Sequence, residues 1–262
     1  MMGLVLENFS LSLAGRRLLA LDRTIAPGKI LSVMGASGSG KSTLFDAIAG
    51  FLDPAFTASG RILLNDRDIT HARPEERRVG LLFQDALMLP HLSVGENLLF
   101  GLVPSVRGRA ARRAAAEAML AEVGLAGLFA RDPATLSGGQ AARVALARTL
   151  LAEPQALLLD EAFSRLDTAL RQSVRGLVFD LVRERAIPAI LVTHDRADAE
   201  AAGGAIVDLD AQDTGAEGAV TGSLREGAPG DTTPGSQARV TGAPAAEAPP
   251  GKPPAASRGS AR

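Results

Sequence analysis

Residues 35–42 read Gly35-Ala36-Ser37-Gly38-Ser39-Gly40-Lys41-Ser42, directly after the apolar run Ile30 to Met34 and directly before a helical pattern over Lys41 to Gly50. A glycine-rich turn between a strand and a helix lets several backbone N–H groups point inward. The helix start beneath them adds partial positive charge, so the turn is built to hold an anion. The spacing G-x-x-x-x-G-K-S in this context is that of a phosphate-binding loop. Lys41 supplies a full charge for β- and γ-phosphates, the Ser42 hydroxyl is a ligand for Mg²⁺, and Gly35, Ser37, Gly38, Gly40 and Thr43 complete the cradle. A Gly/Ser turn with a solvated lysine is the alternative, and the flanking strand and helix disfavour it.

Outward from this loop, short apolar runs alternate with amphipathic segments from about Gly3 to Asp210, as in strands joined by crossover helices in a mainly parallel sheet. Strands are expected at Ile30 to Met34, Arg61 to Leu64, Val79 to Phe83, Ala156 to Asp160, Ala189 to Thr193 and Ala205 to Leu209. The later runs are nearly all apolar, which suits a sheet covered on both faces. Helices are expected at Lys41 to Gly50, Arg109 to Val123, Gly139 to Leu151 and Thr168 to Glu184. In the last, Leu170, Val174, Leu177 and Leu181 mark one core-facing stripe. Residues 211–262 are rich in Ala, Gly, Pro, Ser and Thr, and their composition predicts a disordered tail.

Composition removes several function classes. The formal net charge of −1 lacks the basic footprint that a nucleic-acid backbone requires. With no cysteine there is no disulfide, thiolate metal site or cysteine nucleophile, which suits a reducing compartment. His71, His91 and His194 are too scattered for a zinc site. Met1 to Leu13 does not read as a signal peptide. No run approaches the roughly 18 apolar residues that a membrane span needs, so a membrane role would work through partners.

A second element is Ala156-Leu157-Leu158-Leu159-Asp160-Glu161, an apolar strand ending in two carboxylates. Successive strand side chains face opposite ways, so the two acids have separate tasks. Asp160 is the candidate Mg²⁺ holder and Glu161 the candidate base for an attacking water. These elements by themselves fit a nucleotide-dependent hydrolase or kinase.

The class is decided by Leu136-Ser137-Gly138-Gly139-Gln140, a serine-led turn before a helix about a hundred residues after the phosphate loop. On these three motifs the chain resembles the ABC ATPases from about Leu4 to Asp210. The resemblance implies an α/β P-loop fold with a mainly parallel core sheet, an antiparallel β N-terminal part and a helical subdomain at about 85–155 that carries the signature. It assigns Gln84 to contact with Mg²⁺ and the attacking water, His194 to the γ-phosphate, and Asp167 of Ser164-Arg165-Leu166-Asp167 to a loop reaching a second copy. It further implies a homodimer, with Ser137, Gly138, Gly139 and Gln140 of one copy closing on the nucleotide of the other.

Phe83 to Asn97 is similar to the coupling region of bacterial importers. Asp132-Pro133-Ala134-Thr135-Leu136 and Ser164-Arg165-Leu166-Asp167 are most similar to thiamine-type uptake ATPases. This implies ATP and Mg²⁺ as ligands, transmembrane permease subunits, a periplasmic or extracellular solute-binding protein, and a peripheral position on the cytoplasmic membrane face. An exporter subunit and a non-transport ABC ATPase are the alternatives. Three positions depart from the family. Ala14 stands where an aromatic usually stacks on adenine, leaving Arg16 as the substitute and implying weak ATP/GTP discrimination; Ala141 replaces a common arginine; and Ala162 replaces a common proline.

Overall fold

The computed structural model describes residues 3–36 and 38–210. The chain runs β1 (Leu4–Leu13), β2 (Arg16–Ile25), β3 (Ile30–Met34), α1 (Lys41–Ala49), β4 (Phe56–Leu64), β5 (Arg67–Asp68), β6 (Val79–Leu82), α2 (Val94–Gly101), α3 (Arg109–Glu122), α4 (Gly138–Leu151), β7 (Ala156–Asp160), α5 (Thr168–Glu184), β8 (Ala189–Val192), α6 (Arg196–Ala202) and β9 (Ile206–Asp208). The α/β class expected from the sequence holds, with one parallel and one antiparallel sheet. The expected tail at 211–262 lies outside the described residues, as does Ser37.

The parallel sheet has the order β6-β7-β8-β3-β9. Its strands alternate between two apolar clusters. Leu157, Leu159 and Leu191 face α2 to α5, whereas Leu158, Ile190, Val192 and Val33 face α1 and the second sheet. That period of two on both faces explains why β7 and β8 are continuous apolar runs. A sheet covered on both sides leaves only its ends open, and three parallel pairings align the carboxyl ends of β6, β7, β8 and β3 along one edge.

The antiparallel sheet has the order β2-β1-β4-β5. A two-residue turn at Ala14-Gly15, both at positive φ (49° and 80°), joins β1 to β2 with the twist that a tight hairpin demands. Pairing shifts by one residue between Leu11↔Leu19 and Ser12↔Arg17, so Leu18 is an extra, bulged residue on β2. A bulge of this kind re-aims its side chain.

The helical side is fixed by polar groups as well as by packing. Asn97, fully buried in α2, donates from Nδ2 to the carbonyls of Leu89 (3.1 Å), Leu92 (3.1 Å) and Ser93 (3.0 Å), and its Oδ1 accepts from the Leu89 N–H (2.9 Å). One amide thereby folds the loop after β6. Arg148 of α4 reinforces it, donating to the carbonyls of Leu87 (2.9 Å) and Ala86 (3.1 Å). Ser93 and Glu96 close the start of α2 with a capping box.

Truncating Asn97 strands several of these buried backbone groups. Asn97→Ala is expected to lower stability by roughly 2 to 3 kcal/mol, read from the midpoint of a denaturant titration, and to raise amide exchange in residues 87–93.

Candidate functional site

The four chemistry-bearing segments of the sequence follow the carboxyl ends of β3, β6, β7 and β8, where open parallel sheets bind their ligands. Those after β3, β7 and β8 form a cleft of about 460 Å³ whose lining includes Gly38, Gly40, Lys41, Ser42, Thr43, Glu161 and His194. Motifs separated by more than a hundred residues thus share one space.

Lys41 opens α1 and is only 8% exposed. Its Nζ donates to the carbonyls of Gly35 and Ala36, each at 2.6 Å, so the ammonium is anchored to the loop it serves. Gly40 enters the helix at φ 90°, and a Cβ there would lie 3.2 Å from Leu19 Cδ2. Both the left-handed backbone and the close approach of β2 demand glycine at this point. The Ala36 N–H donates to Asp210 at 2.7 Å, tying the loop to the chain beyond β9.

Asp160 ends β7. Burial, followed by the neighbouring carboxylates of Glu161 and Asp46, pushes its carboxyl above the usual range, and Lys41 opposes them. A half-buried acid beside other acids, with the Ser42 hydroxyl on the cleft lining, offers hard oxygens of the kind that hold Mg²⁺ alongside nucleotide phosphates. Asp160 and Ser42 therefore fit that ion. Among the described residues no cluster of three His, Cys, Asp or Glu forms a metal cage, and a Mg²⁺ shared with phosphates and water does not need one.

Glu161 sits at φ 44°, a strained backbone held from two sides. Its N–H donates to the Val192 carbonyl at 2.9 Å, while its own carbonyl accepts from the Ser164 N–H (3.0 Å) and Oγ (2.8 Å). Its Oε1 lies 3.0 Å from His194 Nδ1, and both side chains line the cleft. His194 is itself steadied from behind. Asp195 accepts from Arg171 at 2.6 Å, and the nearly buried Asp198 (2% exposed) pairs with Arg171 (3.2 Å) and Arg175 (2.8 Å).

The remaining candidates lie elsewhere. Gln84 lines a second groove of about 260 Å³ together with Gly138, Ala141, Ala162 and Arg165. The two departures at Ala141 and Ala162 therefore face the same space, and Asp85 pairs with Arg165 across it. Ser137 heads α4, accepting from the Gln140 N–H at 3.3 Å, and Gln140 Oε1 accepts from the Ser137 N–H at 3.0 Å. Gly139 packs so tightly on α5 that a Cβ would come within 2.4 Å of Leu170. Asp167 caps α5 by accepting from the Leu170 N–H at 3.0 Å. Ser137, Gly139, Gln140 and Asp167 are absent from the lining of the Lys41 cleft.

Sequence reasoning missed Phe56, Leu13 and Leu18, which complete that lining. It also missed the arginine pair on α5. The arginines at 171 and 175 share one helix face, and two acids follow His194, which was the available signal.

Fold and cleft define a P-loop nucleotide-binding protein of the α/β class. Residues 18–164 match the family described as ABC transporter. Over 199 residues the chain is 50% identical to the ABC transporter ATP-binding protein YnjD of Escherichia coli (strain K12), covering 76% of this chain and 91% of that one. It is 48% identical to the thiamine import ATP-binding protein ThiQ of Cereibacter sphaeroides, over 69% of this chain and 77% of the relative. The solved structure of cbiO1 from Clostridium perfringens, described as part of the ABC transporter complex cbiONQ, superposes with a TM-score of 0.66 at 31% identity, covering 74% of this chain and 79% of that chain. The chain belongs to the ABC transporter family, as one of its ATP-hydrolysing subunits.

The environment of Asp160 has a thermodynamic consequence. Because the folded chain holds this carboxyl proton to higher pH than the unfolded chain does, ionising it opposes folding, and the penalty grows as pH rises through the folded value. Asp160→Asn is expected to raise the nucleotide-free thermal midpoint at neutral pH, with a gain that shrinks toward about pH 4. Calorimetry across that range checks it.

Proposed function

We propose that the chain works as a homodimer on the cytoplasmic face of a membrane, driving solute import through permease subunits fed by a solute-binding protein. Thiamine or a related small molecule is the candidate cargo, on the strength of the likeness to the thiamine import protein of Cereibacter sphaeroides. Among the described residues no helix is long and apolar enough to cross a membrane, which agrees with a peripheral subunit.

One observation carries the dimer. Ser137 and Gly139 open the 14-residue helix α4, yet neither lines the cleft containing Lys41 and Glu161. A serine hydroxyl and a helix start are suited to cap a phosphate, so in this reading they cap the γ-phosphate held by the partner copy. Asp167, Gly138 and Gln140 belong to the same shared face. In this reading residues 85–155 form the helical subdomain that carries it. The loop folded by Asn97, with exposed Phe83 and Leu87, is the proposed permease contact.

In the proposed reaction, Glu161 takes a proton from a water whose oxygen bonds to the γ-phosphorus. The bond to the bridging oxygen breaks, leaving ADP and phosphate. His194 holds the carboxylate in place, and Lys41 offsets charge on the β- and γ-phosphates. Ser42 and Asp160 would hold Mg²⁺, which would supply charge neutralisation at the phosphate oxygens, and Gln84 would join them on movement out of the groove it lines. Loss of the γ-phosphate removes the contacts joining the copies and lets the pair open.

Glu161→Gln should still bind ATP, hydrolyse it at least about 100-fold more slowly, and accumulate as a dimer in gel filtration with ATP. Lys41→Ala should lose binding. A Glu161→Gln chain that stays monomeric with ATP, alone and beside its permease, would sink the paired site.

A further inference from the structure

The cleft has two chemically distinct sets of walls. One is formed by Lys41, the loop glycines, Ser42, Thr43, Glu161 and His194, while the other lining side chains are the hydrocarbons of Leu13, Leu18 and Phe56. A nucleoside triphosphate has the same division, with charge at the phosphates and a flat, weakly polar ring at the far end. We infer that Phe56, flanked by Leu13 and Leu18, is the stacking platform for the base of the nucleotide bound at Lys41. The inference rests on the nucleotide site described above and adds the residue that receives the base.

Three features of the backbone build this platform. Leu13 and Phe56 are directly opposite in the antiparallel pairing of β1 and β4, which puts both side chains on one face. Phe56 is fixed at its start by a turn in which Asp53 accepts from the N–H of Ala55 through its carboxylate (2.8 Å) and from the N–H of Phe56 through its carbonyl (3.0 Å). Leu18 is the bulged residue of β2, and a Cβ on Gly40 would meet its Cβ at 3.9 Å, so the bulge abuts the phosphate loop. Leu13 remains 39% exposed, an apolar surface left open at the cleft.

The hairpin tip is the other place from which a base could be reached. It presents Ala14 and Gly15, which offer no ring, and Arg16 does not line the cleft. Of the two rings in that lining, His194 is paired with Glu161 at the phosphate end, and Phe56 lies with the hydrocarbon side chains. A ring bounded by aliphatic side chains stacks on any purine and offers no side-chain hydrogen bond to tell adenine from guanine.

The test uses the full chain with Glu161→Gln, so that binding is read without turnover. The probes are ATP, GTP and inorganic tripolyphosphate. Phe56→Ala is expected to weaken ATP and GTP by about 5- to 100-fold each, leave tripolyphosphate within about twofold, and recover on Phe56→Trp. In the chain with Glu161 intact, Phe56→Ala should raise KM for both nucleotides while kcat at saturation stays close to the parent value. Equal weakening of tripolyphosphate would reduce Phe56 to a structural role and overturn the inference. So would unchanged ATP binding in Phe56→Ala, or loss in Arg16→Ala instead. Undiminished binding of all three probes by Lys41→Ala would remove the nucleotide site itself, a failure distinct from failure of the platform alone.

Discussion

Parallel pairing of β3 with β8, β8 with β7 and β7 with β6 is the constraint on which everything else rests. Parallel strands end on one side, and helices on both faces close every other approach. A loop after β3, two acids after β7 and a histidine after β8 therefore meet without any contact in sequence. The phosphate loop needs that edge, because its inward amides have meaning only where a ligand can reach them. The strain at Glu161 is tolerable for the same reason: β8 accepts its N–H while the following turn occupies its carbonyl.

Behind the cleft, buried charge fixes loops that hydrophobic packing alone would leave loose. Arg171 and Arg175 hold Asp195 and Asp198, so the turn bearing His194 is clamped to α5. Arg77, nearly buried, donates to the last carbonyls of α1 at Ala47 (2.8 Å) and Ile48 (2.9 Å), and burial lowers its pKa. Removing one partner of such an arrangement costs more than the arrangement contributes, because the remainder is left desolvated and unpaired. Specific geometry, rather than added stability, is the expected return.

Legibility in the sequence follows the range of the interactions involved. β3, β7 and α5 were readable to the residue because continuous apolar runs or a 3.6-residue stripe bounded them. The start of α1 was announced by the loop, and its end falls at Gly50, which turns left-handed at φ 91°. β4 begins at Phe56, well before the expected Arg61, because its first half is exposed and gains its order only from β1. The bounds of β1 and β2 were obscured by positive φ at Asn8 and by the register shifts, which break strict alternation. α2 is short, although Ser93 and Glu96 spelled its capping box. In the site, the local motifs were legible and the tertiary pairings were not: the arginine pair on α5 and the acids after His194 each show in the sequence but not that they meet, and nothing near Phe56 names Leu13. Of the stripe on α5, Val174 and Leu181 are buried, with Val178, Phe179 and Val182 widening it, whereas Leu170 and Leu177 pack at the margin.

The seat of Gly139 on Leu170 has a mechanical meaning. Because only the Leu170 side chain stands between them here, α4 and α5 mesh as two gears, and α5 engages the histidine turn through Arg171. A displacement of the first helix therefore bears on the far cog through these two contacts. A single methyl added at this tooth would press first on the Leu170 cog, away from Glu161 and His194.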